Sequence, residues 1–435
     1  MEIQAAKECF VSPPATNRPV IFWFWNDHLH PERLVWQYDR LIEAGMAGAV
    51  MHARGGLESA EYLDERWFAA VDAVVKHAAE KGTVVWIYDE LGWPSGSAGG
   101  RALVGLPREM QLGHLKLFDI TPERGQDYSR LPGNPVAAFR VVQSDPDYGF
   151  QRRYDRSVNL MPDGITCEEL PKDVDPSAFV GTRLLLFRHV IDGGLIDYYN
   201  AAATEVFLKS THEEYFRRFG AHFGTTITHS FMDEAGSMAG IGMLPWSPVF
   251  ESEFEKRRGY AIRPHLAALL FEIPGFQSVR YDYWSLTAEL FREGFGVPMH
   301  QWCERHGIKY SGHYVFETSL KEATRQLGSA MPLYEFQGLP GVDVLGNDFY
   351  THRFEIEAHA YYTAMVKQAS SVSNQLGDGQ LLSESYGVGG HAMGLESMQV
   401  ATFWQMALGV TVISQHAAFY SMRAERKEDC PPVIG

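Results

Sequence analysis

At 435 residues, with 45% hydrophobic and 21% charged side chains, the chain has a globular composition and room for one large barrel or two to three ordinary domains. A net charge of −16 and no Lys/Arg-rich run exclude a nucleic-acid partner, since that binding needs basic patches to displace counterions. Four scattered cysteines without a CxxC pair exclude both a zinc knuckle and a disulfide scaffold.

The N-terminal stretch MEIQAAKECFVSPP lacks the charged start and apolar core of a signal peptide. No apolar run approaches the roughly 20 residues that span a membrane. As written, the chain reads as cytoplasmic, with no membrane partner.

Strand-then-helix units follow in order. The run VIFWFW (20–25) predicts strand 1, and Pro31 opens the next helix, since a first-turn proline costs no hydrogen bond. Strand 2 is AGAVMHA (47–53). The following helix runs from about 62 to 81, with Trp67, Phe68, Val71, Val74 and Val75 at helical spacing and Gly82 as its stop. Strand 3 is TVVWIYDE (83–90), and the loop GWPSGSAGG follows. The rhythm then breaks into short alternating segments, HLKLFDI, PVAAFRVV and TRLLLFRHV, parted by turn residues. These predict an inserted β-rich module over 105–195, entering on the face where barrel insertions shape a pocket.

A helical pattern over 198–223 leads to strand 4 (225–234), then strand 5 (308–316) and strand 6, VDVLGND (342–348). A long helix (353–374), strand 7 (380–387), a helix (396–408) and strand 8 (410–419) complete the series. Eight strands and seven helical segments predict an α/β fold, a (β/α)8 TIM-type barrel made of residues 1–104 and 196–435. The chain stops after strand 8 with no room for an eighth helix. The reading therefore expects Val410, Val412 and Phe419 to be uncovered, and expects either further C-terminal domains or an oligomeric partner to cover them.

Three of these strands are apolar runs that end on acids: Asp89 and Glu90 after strand 3, Asp233 and Glu234 after strand 4, and Glu384 in strand 7. A parallel barrel presents its chemistry at the C-terminal ends of its strands. Any one acid could be an ordinary solvated loop residue, but three at this spacing point to a shared pocket. Two facing carboxyl groups are what glycoside hydrolysis needs, one to protonate the leaving oxygen and one to attack or to activate water. Glu234 is assigned as the acid because a neighbouring charge on Asp233 would help it keep its proton. Its alternative is a salt-bridge or capping residue. Glu384 is the opposing carboxylate, with Glu317 its competitor. The rim also offers Asn26, His52, Asp89, Glu90, Trp93, His313, Asp348, Tyr386 and His416 for sugar hydroxyls and ring faces. Asp89, Glu90, Asp233 and Asn347 supply hard oxygen ligands for a cation such as calcium.

Two other readings carry less. His28 and His30 form an HxH after strand 1, as in metal-dependent amidohydrolases, but strand 8 offers His416 where that chemistry needs an aspartate. The loop GWPSGSAGG lacks both the GxxxxGK[ST] and GxGxxG spacings, so it does not read as a nucleotide site.

Taken together, FWFWND, GMAGAVMHARGGL, YLDERWF, WIYDELGWPSGSAGG, HSFMDEAG, YSGHYVFE, LLSESYG and HAAFYS resemble the catalytic barrel of glycoside hydrolase family 106, the α-L-rhamnosidases. The resemblance covers nearly the whole barrel. It implies an exo-acting enzyme on a carbohydrate substrate, an inverting mechanism with two glutamates (Glu234 and Glu384 here), and a calcium that helps hold sugar hydroxyls. Members of that family usually continue into β-rich accessory domains, whereas this sequence stops after strand 8, as a fragment of a longer protein would. Two alternatives stay open: a retaining glycosidase such as a galactosidase, and a carbohydrate-binding barrel without turnover.

Overall fold

The computed structural model describes residues 3–14, 18–145, 164–240, 242–345 and 356–433. Eight parallel strands close into a barrel: Val20–Trp25, Gly48–Ala53, Val84–Leu91, Ile227–Ala235, Lys309–Tyr314, Leu339–Val344, Leu382–Ser385 and Val412–Phe419, numbered here barrel strands 1 to 8. Strand 1 pairs with strand 8, Val20 opposite Ser414, so no edge is left open. The expected fold class is the observed one.

Alternation of side chains explains the two cores. Phe22 and Phe24, Trp86 and Tyr88, Phe231, Leu382 and Phe419 fill the barrel interior. Their neighbours Ile21, Trp23, Ile87 and Met232 pack outward under the helices. The helix Glu65–Lys81 shows how local chemistry fixes an element. Asp64 caps it by accepting from the Arg66 and Trp67 amides, and Gly82 ends it in the left-handed conformation at φ 64°. Its Trp67, Phe68, Val71, Val74 and Val75 are buried, as their spacing predicts. Pro31 likewise occupies the first turn of the helix Pro31–Glu43.

The insertion is an antiparallel sheet of five strands, in the order Gly164–Leu170, Asn134–Asp145, Leu184–Ile196, Gln111–Ile120, Met243–Trp246. The last of these comes from beyond barrel strand 4, a contribution the sequence reading does not foresee. Leu115 lies opposite Leu244 and Gly113 opposite Trp246, which ties the sheet to the strand 4 loop.

Two expectations are corrected. Strand 6 ends at Val344, earlier than predicted, and Asn347 and Asp348 lie outside the described residues. Strand 8 is also better covered than expected: Val410 is 3% and Phe419 4% exposed, and Val412 is half-buried. Phe419 points into the barrel and stacks on Phe24, so no eighth helix is needed to cover it. Val410 joins the outer core just ahead of the strand. Among the described residues no helix is long and apolar enough to cross a membrane.

Candidate active site

Four consecutive strands bring ionisable side chains to one end of the barrel interior. Asp233 on strand 4 sits in register with His313 on strand 5, and Asp343 on strand 6 with Glu384 on strand 7. The His313 ring is the hub. Its Nε2 lies 2.7 Å from Glu384 Oε2 and 3.3 Å from Asp233 Oδ1, with the side chain 1% exposed. Burial opposes a charge on this ring. The negative field of Asp343, the hydrogen bond to Glu384 and the field of Asp233 outweigh it and hold the pKa well above the ordinary imidazole range. His313 is therefore an imidazolium set among carboxylates. Glu384 is raised by burial, and the His313 contact works in the opposite direction, toward the carboxylate. The other two histidines facing this space, His52 and His416, are driven the other way, by burial first and then by the Arg54 charge. They are neutral donors or acceptors, His416 with a pKa pushed down to about 3.

Glu234 is set apart from this ladder. His313 pairs with Asp233 and the next residue, Tyr314, with Ala235, so Glu234 is the extra residue of a bulge. Its φ of 51° lies in the left-handed region, a strained conformation for a side chain with a Cβ, and the bulge re-aims it out of the strand's alternation. Strands 4 and 5 approach closely beside it: a Cβ at Gly312 would sit 1.8 Å from the Met232 carbonyl oxygen. Burial, then the charge of Asp233, push the Glu234 carboxyl up to about 7. A proton held near neutral pH in a half-buried position is what a general acid requires.

The other expected residues fall into distinct places. Glu317 is buried behind the rim, accepting from the Tyr334 hydroxyl at 2.6 Å and the Tyr314 amide at 3.3 Å. Burial lifts its carboxyl to about 7 as well, and its Oε1 has no hydrogen-bond partner. His52 stacks on Tyr88 at 3.5 Å between ring centroids and bonds the Ala53 carbonyl through Nδ1. Asn26 spends its amide on Ser421, donating to the carbonyl and accepting from the amide. Tyr386 turns outward, its hydroxyl bonded to Thr402 on the helix Leu395–Leu408. Trp93 stands at the rim, half exposed.

Asp89 and Glu90 do structural work. On strand 3, Trp86 and Tyr88 face the interior, so Asp89 faces the helix layer, where its Oδ1 accepts from Ser95 at 2.5 Å. Both oxygens of Glu90 are wrapped by the following loop. The amides of Leu91, Gly96, Ser97, Ala98 and Gly99 and the Ser97 hydroxyl all donate to it, at 2.5–3.1 Å. Six donors fill a carboxylate and leave no lone pair for a cation or a sugar.

The expected calcium ligands therefore do not converge among the described residues: Glu90 is saturated, Asp89 faces away and only Asp233 reaches the interior. Among the described residues the one group of metal-ligand type is Asp233, His313 and Glu384, with ligand atoms within 4.8 Å of one another.

Sequence reasoning passed over Asp343, Tyr88 and Asp429. Asp343 stands between two valines of strand 6, where the structure turns it inward opposite Glu384. Its Oδ1 is buried without a hydrogen-bond partner. The Tyr88 hydroxyl bridges Asp233 Oδ2 (2.5 Å) and the Gly92 carbonyl (2.7 Å). Asp429, far along the chain, holds Arg54 at the strand 2 rim through two bonds of 2.6 and 2.8 Å.

Neither a protein-family profile nor a curated protein matches the sequence. Among solved structures, the chain is similar to a rhamnosidase from Novosphingobium sp. PP1Y, with TM-score 0.66 and 13% identity over 97% of this chain and 57% of that one. It is also similar to a polyextremophilic β-galactosidase from the Antarctic haloarchaeon Halorubrum lacusprofundi, with TM-score 0.51 and 12% identity over 92% of this chain and 52% of that one. The chain spans little more than half the length of either, and at such identity the likeness is one of fold.

Proposed function

We propose that this chain is the catalytic barrel of a glycoside hydrolase in which Glu234 is the general acid and Glu384 the opposing carboxylate. The observation that carries the reading is the placement of two carboxyl groups in different settings at one barrel end. Glu234 is bulged out of strand 4, its carboxyl pushed up to about 7, whereas Glu384 stays in the strand ladder with its Oε2 2.7 Å from His313 Nε2, a contact that works against the rise burial imposes on it. In the reaction the Glu234 proton passes to the glycosidic oxygen as the C1–O bond breaks. Glu384 either takes a proton from the attacking water or attacks C1 itself. His313, His52, His416 and Tyr88 surround the sugar with donors and acceptors, and burial, aided by the charge of Asp233, keeps the proton on Glu234.

For the substrate, we propose a terminal α-L-rhamnosyl group released with inversion. The motif resemblance and the fold likeness to a rhamnosidase both support it. A β-galactoside is the second reading, favoured by the fold likeness to the haloarchaeal β-galactosidase. Hydrolysis of a panel of nitrophenyl glycosides, with the first-formed anomer followed by proton NMR, tests both. Turnover of α-L-rhamnoside with inversion is the expected result; no turnover of any glycoside would remove the reading.

A further inference from the structure

The loop after strand 3 is bolted to the residue that precedes the acid. The Ser95 amide donates to the Asp233 carbonyl at 2.8 Å, and the Ser95 hydroxyl accepts from the Asp233 amide at 2.9 Å. On the other side, Gly92 is held through its carbonyl by Tyr88, which also bonds the Asp233 carboxyl. Glu90 gathers the amides of Gly96 to Gly99 beneath the loop. Trp93 lies between these anchors, on a loop pinned to Asp233, the residue that precedes Glu234.

An indole that is 50% exposed could simply be a surface residue, but this one is backed by a buried charge. The Arg54 guanidinium lies 4.4 Å from the Trp93 ring centroid and 4.5 Å from that of Phe24, a cation–π sandwich. Its side chain is 5% exposed and is clamped by both oxygens of Asp429. Asp429 is in turn seated by a C-terminal stretch tied across the rim. Asn26 grips Ser421, Arg426 reaches the Asn26 carbonyl at 2.6 Å, and the Cys430 and Pro431 carbonyls accept from Val388 and Gly390. One face of the indole is thus covered by a rigid, buried stack, and the rest is left in solvent.

We infer that Trp93 is the platform of the leaving-group subsite, stacking on the flat apolar face of the sugar or aryl group that Glu234 protonates. This rests on the glycosidase reading. The general acid must stand on the leaving-group side of the scissile bond, and the loop that carries Trp93 is pinned to Asp233, the residue just before that acid. A pyranose presents a patch of C–H groups to such a ring, and an aryl aglycone presents a π face. Arg54 and Asp429 are positioning residues: they hold the indole in its plane before the substrate arrives, which lowers the ordering cost of binding.

The test compares kcat/KM of wild type, W93A and W93F on three donors of the same sugar: a disaccharide, a nitrophenyl glycoside and a glycosyl fluoride. Fluoride has no body to stack. In W93A the ratio of disaccharide to fluoride kcat/KM should fall about tenfold, the size expected for one lost stacking contact. W93F, which keeps a ring, should recover most of that ratio. A matching fall in the nitrophenyl-to-fluoride ratio would show that any flat leaving group suffices, and a fall for the disaccharide alone that the subsite selects a sugar. Unchanged ratios, whether from an equal loss on all three donors or from no loss on any, overturn the subsite while leaving the glycosidase standing. Absence of turnover in wild type on every donor refutes the glycosidase reading and the subsite with it.

Discussion

Replacing Glu234 by Gln separates its proton from its shape. The side chain keeps its size and its left-handed backbone at φ 51°, so the bulge and the loop bonds to Asp233 stay in place. Only the donated proton is lost. General acid help is worth roughly 10²–10⁴-fold in rate, or about 3–5 kcal/mol of barrier. That loss should fall on disaccharides and other poor leaving groups. Glycosides of acidic phenols, which depart unprotonated, should lose far less. The pH profile gives the sharper readout. With the carboxyl pushed up to about 7, the wild-type rate on a poor leaving group should fall above pH 7, by about tenfold per unit once deprotonation is complete. E234Q should lack that alkaline limb altogether. Glu317 is also raised to about 7 and provides the built-in competitor. If the limb persists in E234Q and disappears in E317Q, or if both substrate classes suffer one small, equal loss in E234Q, the acid is not Glu234.

Glu384→Ala should lower kcat by orders of magnitude while sugar binding, followed by calorimetry, persists; rescue by azide would reveal from the anomer formed which face Glu384 serves, and near wild-type activity would move its role to Glu317. His313→Gln leaves buried carboxylates without their counter-charge, which costs roughly 3–5 kcal/mol when a buried pair is broken. Because the folded pKa of His313 is raised, its stabilisation is full below the unfolded value of about 6.5 and is lost as pH rises through the folded pKa; chemical-denaturation curves should show the largest wild-type-to-H313Q gap near pH 6 and a smaller one at pH 9, and a gap that widens with pH would sink the ion-pair account. Glu90→Ala orphans six loop donors, so the 92–100 segment should become cleavable by protease and the melting temperature should drop; an unchanged melting curve would mean water replaces the carboxylate.

How far the sequence could be read depended on the range of the contacts involved. Barrel strands and the helix ending at Lys81 were legible because period-two and period-3.6 patterns and a Gly stop are all local; the Asp64 cap, equally local, was passed over, and the helix starts at Glu65 rather than near 62. Asp233, Glu234, His313 and Glu384 were legible because apolar runs ended on them or contained them. Which acid faces the pocket was harder, since alternation decides it and one bulge resets it. Asp89, Glu90 and Asp233 look alike as strand-end acids. Only the fold shows that one faces the helices, one is consumed by its own loop and one bonds Tyr88 and His313. Asp343 was hidden by its setting inside a strand, where an isolated acid reads as an exposed position. The least legible feature is the wall built by Arg54 and Asp429, 375 residues apart. Arg54 follows strand 2 and so falls at the rim, but nothing local ties it to Asp429, an aspartate in a charged tail. Their pairing exists only because closure of strand 1 on strand 8 returns the end of the chain to the rim where the barrel began. The same closure that removes the sheet edge thus completes the site, and it explains why residues 421–433 bond to Asn26, Arg54, Val388 and Gly390 along the barrel rim.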